Sequence, residues 1–208
     1  MYIPAHFSIN SREALHKIIQ TNPLGALVTM TPEGLDANHI PFELDPDRGV
    51  LTAHVARANP VWQHCKDGAD ALVIFRGNQS YISPNWYPSK HETHRQVPTW
   101  NYEVVHAHGV LTVQDEERFV RGVVARLTRV HEASEPKPWK MTDSAPEYID
   151  SMLKAIVGIE IAITRLEGKT KLSQNREARD RQSAAQTLIR HGHTQLGEAM
   201  QETIDPKA

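Results

Sequence analysis

The chain has 208 residues, 39 % of them hydrophobic and 23 % charged, with a net charge of -2; this excludes wholesale disorder and fits one domain of ordinary size with a tail, or two very small ones. Lys and Arg number 23 against 25 Asp and Glu, so the basic excess that helps a protein hold nucleic acid is missing. No apolar run approaches the roughly 18–20 residues of a membrane span, and no basic region followed by an apolar stretch opens the chain, so a cytoplasmic protein without a secretory signal is expected.

Asn10 is placed to N-cap a first helix. Glu13 falls at the reciprocal capping position, and Ala14, Leu15, Ile18 and Ile19 form an apolar face. Asn22-Pro23 ends it. Residues 24–30 read as a strand, and Thr31-Pro32-Glu33-Gly34 as a turn. A second strand over 35–44 contains Pro41, which demands an edge or a bulge. Residues 50–55 make a third strand. Pro60 opens a short helix to Lys66. Residues 71–75 form a buried strand, Arg76-Gly77-Asn78 a turn, and residues 80–83 a further short strand. Residues 84–98 read as a proline-shaped loop, whose length marks it as functional or disordered; Trp86, Tyr87 and Trp100 in or beside it argue for order.

Residues 100–113 alternate as a long strand. A helix over 115–130 follows, with Phe119, Val120, Val123, Val124 and Leu127 inward. Ser144 and Glu147 make a capping box for a helix to Ile156. The last strand covers 157–166 and turns at Glu167-Gly168-Lys169. Residues 176–203 form a terminal helix interrupted at Gly192. Hairpins in sequence, not strand–helix alternation, dominate residues 24–113, which favours an antiparallel barrel or sandwich over a doubly wound sheet.

Several chemistries are absent from the sequence. There is no glycine-rich nucleotide loop and no Gly-x-Ser-x-Gly elbow. With Cys65 as the one cysteine, a thiolate zinc site and an internal disulfide are both excluded, in keeping with a reducing compartment. His91-Glu92-Thr93-His94 has the wrong spacing for a helical zinc site. His106 and His108 share a strand face, as a ligand pair or as ordinary histidines. The 12 histidines point toward metal, haem or proton chemistry. Residues 52–102 mix cations, hydroxyls and amides with Trp86, Tyr87, Trp100 and Tyr102. Two readings stand on composition: a seam for a phosphorylated planar ligand, or core aromatics in a proline-shaped loop.

Four segments go further: Ala37-Asn38-His39-Ile40-Pro41; Ala53-His54-Val55-Ala56-Arg57-Ala58-Asn59-Pro60; Ser80-Tyr81-Ile82-Ser83-Pro84-Asn85-Trp86-Tyr87-Pro88-Ser89-Lys90 with Val97-Pro98-Thr99-Trp100-Asn101-Tyr102; and Lys171-Leu172-Ser173-Gln174-Asn175. Together with the opening Met1-Tyr2-Ile3-Pro4-Ala5-His6-Phe7, they resemble the PaiB family of FMN-binding negative transcriptional regulators. The resemblance implies a mainly β fold with flanking helices, an antiparallel split β-barrel over 1–175, with a C-terminal helical extension over 176–208.

It also implies a homodimer with FMN at the interface. Asn38, His39 and Ile40 would run along the flavin. Thr52, His54, Arg57 and Asn59 would stand near phosphate and ribityl chain. Tyr81, Ser83, Ser89 and Lys90 would add donors, Trp100 and Asn101 would reach over from the partner, and Lys171, Ser173 and Gln174 would add a phosphate contact. On the residues alone, Arg57 can equally pair with a surface acid, His39 can be a strand residue bonded to backbone, and residues 171–175 can cap the terminal helix. DNA binding follows from the family alone; its one candidate element is the terminal helix with Arg176, Arg179, Arg181 and Arg190, which also reads as a packing helix. The alternatives are a flavin-dependent oxidoreductase or flavin reductase, with His39, His54 or His106 as proton donor, and a haem-binding or haem-degrading split-barrel protein.

Overall fold

In a computed structural model, residues 1–65 and 68–204 are described; the expected helix end at Lys66 and the last four residues of the C-terminal extension lie outside the described residues. The first helix, α1 (Arg12–Thr21), is capped by Ser11 and not by Asn10, since the Ala14 N–H donates to the Ser11 hydroxyl at 3.2 Å. Pro23 then ends the helix and the chain enters the sheet.

Seven strands follow: β1 (Leu24–Thr31), β2 (Gly34–Pro41), β3 (Glu43–Asp45), β4 (Val50–Ala56), β5 (Ala69–Ile82), β6 (Thr99–Gln114) and β7 (Ile156–Lys171). They form one antiparallel sheet in the order β2-β1-β5-β6-β7-β4-β3. Pro41 divides the expected second strand. It has no N–H for a ladder, and β2 stops there before β3 begins at Glu43.

Two expected turns are strand. Arg76-Gly77-Asn78 lies inside β5, and Glu167-Gly168-Lys169 lies inside β7. Gly168 serves close packing: a Cβ there would sit 2.1 Å from Leu15 Cδ2. The loop expected over 84–98 holds a 3₁₀ turn (Pro84–Trp86) and a short helix, α3 (Pro88–Thr93), each started by a proline in its first turn. The remaining helices are α2 (Val61–His64), α4 (Glu117–His131), α5 (Pro146–Lys154), α6 (Ala178–Arg190) and α7 (Thr194–Glu202). Gly192, at φ +85°, makes the break between the last two. Among the described residues no helix is long and apolar enough to cross a membrane.

The chain forms two compact units. One holds Ile19–Phe75 and His106–Leu166. Its core is apolar: Leu27, Leu51, Val73, Phe75, Leu111, Ile159 and Ile161 are fully buried, and each such side chain contributes about 1.5–3 kcal/mol. Here the sheet curls until β2 comes up beside β4. No ladder joins those two strands; Asn59 Nδ2 donates to Asn38 Oδ1 across the gap at 2.6 Å. The helix α4 lies over β3 and β4, and its Val120 packs with Ile149 and Leu153 of α5.

The other unit holds Met1–Ile18, Arg76–Val105 and Glu167–Ala208. Ile82, Tyr87, Leu172, Ala184, Ala185, Leu188, Leu196 and Met200 form its buried cluster. Helices α6 and α7 are therefore part of this unit's own core.

Candidate functional site

In the barrel unit most of the expected ligand residues already have partners. Arg57 is a surface residue whose Nη1 and Nη2 donate to Asp115 at 2.9 and 2.6 Å. Its Nε and Nη2 also donate to the carbonyls of Lys154 and Ile156 at 2.8 and 3.0 Å. Four of its five N–H groups are thereby used. The Arg57 guanidinium holds the Asp115 carboxyl below its usual range. Asn59 bonds Asn38 and accepts from the Val61 N–H at 3.0 Å, so it also caps α2. Asn38 additionally donates to Asp36 at 2.8 Å.

Thr52 is buried and donates to Glu43 at 3.2 Å, and Glu43 accepts from Arg126 of α4 at 2.6 Å. Thr52 and His54 share a face of β4 by strand alternation. Gly158 stands opposite His54, and a Cβ on it would strike Phe119 of α4. That face is therefore the helix-covered one. The His54 Nδ1 is buried without a partner, and burial pushes the imidazole pKa down. On β2, Ile40 is buried and His39 exposed. His106 and His108 of β6 lie with ring centroids 6.3 Å apart.

In the other unit, residues from two of the four motifs build an internal polar network. Asn101 is fully buried; its Nδ2 donates to Ser173 Oγ at 3.0 Å and lies 3.3 Å from Met200 Sδ. The Tyr87 hydroxyl meets the same Ser173 oxygen at 3.1 Å, and burial pushes the Tyr87 pKa up. Ser173 adopts φ +63°, a conformation uncommon outside glycine that the surrounding bonds hold in place. Gln174 bonds its own loop, accepting from Leu172 N–H and donating to the Thr170 carbonyl, both at 2.7 Å. Ser89 N–H and Oγ donate to the buried Asp180 of α6 at 3.0 and 2.5 Å. Ser83 accepts from Asn85 N–H at 3.2 Å and caps the 3₁₀ turn. Glu92, in the expected loop, pairs with Arg179 at 2.6 and 2.7 Å, while His94 ends α3.

What remains open lies on one face of β5, β6 and β7. Tyr81 and Trp100 are 45 and 54 % exposed, with their rings edge to face at 6.3 Å. Lys171 Nζ donates to Thr99 Oγ1 and to the Trp100 carbonyl, the latter at 2.9 Å. Lys169, two residues earlier and on the same face, points at the Tyr102 ring, 5.4 Å from its centroid. Arg176 lies over Tyr87 at 5.9 Å. Burial holds the Lys171 pKa down, Tyr102 opposes that, and the positive charges of Lys169 and Arg176 add to the lowering. Lys169 was not singled out in the sequence, and Arg176 was read there only as part of the terminal helix. Taking Glu167-Gly168-Lys169 as a turn removed Lys169 from the strand; continued alternation would have set it beside Lys171.

A family model described as "Putative FMN-binding domain" matches residues 1–165. The chain belongs to this family. The Bacillus subtilis "Protease synthase and sporulation protein PAI 2" is 30 % identical over 209 residues, covering 98 % of each chain, which bears out the resemblance to PaiB. FMN is the cofactor the family assignment brings. Two solved structures share the fold. The "FAD and Heme binding protein" of Mycobacterium smegmatis superposes with a TM-score of 0.57 at 18 % identity, covering 79 % of this chain and 73 % of that one. A conserved hypothetical protein of Mycobacterium tuberculosis gives 0.59 at 13 % identity, covering 85 and 94 %. At such identities the likeness is one of architecture: a seven-stranded antiparallel split barrel with flanking helices.

The residues of this FMN-binding family member fit that group. A planar ring with a dianionic tail calls for an apolar wall beside uncompensated cations, and the Trp100–Tyr81–Lys171 face supplies both.

Proposed function

We propose that this protein is a cytoplasmic FMN-binding regulator of the PaiB kind, holding FMN at a homodimer interface. The observation that carries the reading is the pairing of the family match with the exposed Trp100 and Tyr81 rings beside Lys171. Rings this open on a sheet face are an area that a ligand and a second subunit would cover. When bound, FMN supplies electron-transfer chemistry. The part of the chain is to bind and orient it: Trp100 and Tyr81 give a wall for the ring and lysines attract the phosphate.

Regulation through flavin state is favoured over direct DNA contact by three of the four terminal arginines. Arg179 pairs with Glu92 and Glu177, Arg181 donates to the Thr203 carbonyl at the end of α7, and Arg190 donates to Thr187. Counterion release at a phosphate backbone needs cations not already engaged in this way. In this reading residues 1–175 carry the flavin fold and 176–208 extend it.

The test is a visible spectrum and a gel-filtration run of the purified protein with FMN added. A flavin spectrum that persists after desalting, on a species twice the monomer mass, is the expected result. A colourless protein that takes up no FMN overturns the cofactor reading, and a flavin-loaded monomer overturns the interface.

A further inference from the structure

Lys169 and Lys171 share a face at the end of β7, Arg176 lies between β7 and α6, and the charges of Lys169 and Arg176 both act on Lys171. None of the three is in an ion pair among the described residues. Lys171 spends two of its three protons on Thr99 Oγ1 and the Trp100 carbonyl, leaving one free. Lys169 is 9 % exposed, makes one long contact to the Tyr2 carbonyl at 3.4 Å, and otherwise faces the rings of Tyr2, Phe7 and Tyr102. Arg176 has only the Tyr87 ring under its guanidinium.

Five acids of the same unit are engaged elsewhere. Glu92 and Glu177 hold Arg179, Asp180 holds Ser89, Glu103 holds Asn78, and Glu167 holds the terminal amine. Cations brought together under partial burial repel one another, and that positive field is relieved by an incoming anion. Two negative charges suit it better than one. The cation also sits next to the ring wall, since the carbonyl that Lys171 holds belongs to Trp100 itself.

We infer that Lys171 and Arg176, backed by Lys169, are the seat of a phosphate monoester dianion, and that Arg57 is not. Arg57 is neutralised by Asp115 and has one N–H left; a dianion there would meet the Asp115 carboxylate. The inference rests on the FMN reading for the identity of the ester, while the seat itself can be tested without flavin.

The experiment measures dissociation constants of FMN and riboflavin by quenching of flavin fluorescence, for wild type, Lys171→Gln, Arg176→Gln, Lys171→Arg and Arg57→Gln. Riboflavin lacks only the phosphate, so the preference for FMN isolates the seat from any general loss of folding. The preference falls about tenfold in Lys171→Gln and in Arg176→Gln, the size expected for one charge-assisted bond. It stays within about threefold in Lys171→Arg, which keeps the charge. It is unchanged in Arg57→Gln. An unchanged preference in both glutamine variants of the seat, or a loss in Arg57→Gln, overturns the assignment.

A second arm uses inorganic phosphate alone and reads the urea midpoint at constant ionic strength. Phosphate raises the midpoint of wild type and not that of the Lys171→Gln, Arg176→Gln double variant. Should wild type bind neither flavin, the FMN reading falls and this arm alone judges the seat; equal rises in both proteins overturn it.

Discussion

Arg57 grips Asp115 with two parallel bonds, Nη1 to Oδ2 at 2.9 Å and Nη2 to Oδ1 at 2.6 Å. The same guanidinium holds the carbonyls of Lys154 and Ile156, so it fastens the end of β4 to the segment between β6 and α4 and to the start of β7. Replacing Arg57 by Gln removes an exposed pair worth about 0.2–1 kcal/mol and two carbonyl bonds. A total loss of about 2 kcal/mol in urea denaturation is expected. An unchanged midpoint would show the tie to be idle.

Asp180 gives a larger effect. Its buried carboxylate accepts from the Ser89 N–H and hydroxyl, and Gln96 Nε2 stands at 3.4 Å. Asp180→Ala leaves those donors dry, at a cost of about 2–4 kcal/mol. Differential scanning calorimetry reads it directly, and a shift no larger than that of Arg57→Gln would contradict the burial argument.

Ser173 separates backbone strain from hydrogen bonding. Ser173→Ala and Ser173→Gly both leave Tyr87 and Asn101 without the shared oxygen, but only glycine adopts φ +63° at no steric cost. The glycine variant is expected to be more stable than the alanine variant by about 1 kcal/mol. Equal stabilities would mean that the turn stores no strain.

His54 sets a pH dependence. Its folded pKa is held below the ordinary 6.5 by burial, so the unfolded chain binds more protons as pH falls through that value. Stability is therefore retained above about pH 6.5 and drops below it. Wild type should lose more stability than His54→Gln between about pH 7.5 and 5.5, followed by urea midpoints at each pH. Parallel profiles would show that the imidazole is not the source.

The sequence made much of the barrel legible because its strands alternate and its hairpins are marked by Pro and Gly. Length of strand was not legible. Arg76-Gly77-Asn78 and Glu167-Gly168-Lys169 carry turn residues, yet both lie inside strands, Gly168 because Leu15 and Ile9 pack directly on it. Local chemistry cannot report a neighbour more than 150 positions away. The candidate site suffered in the same way. Ser89, Asn101 and Ser173 sit in motifs with the polar character of ligand residues, but their partners are Asp180, Tyr87 and one another. A buried network and a binding site use the same side chains, and only burial tells them apart. Lys171 was visible from sequence; the charges that give it meaning, Lys169 and Arg176, needed the register of β7 and the start of α6.

The amide pair at the barrel's gap has a further consequence. Asn38 and Asn59 are both uncharged, so the bond between them does not weaken as electrolyte is added. Any breathing of the barrel along β2 and β4 should then proceed at the same rate in dilute and in concentrated salt, whereas fastenings made by Arg57 or Arg126 loosen.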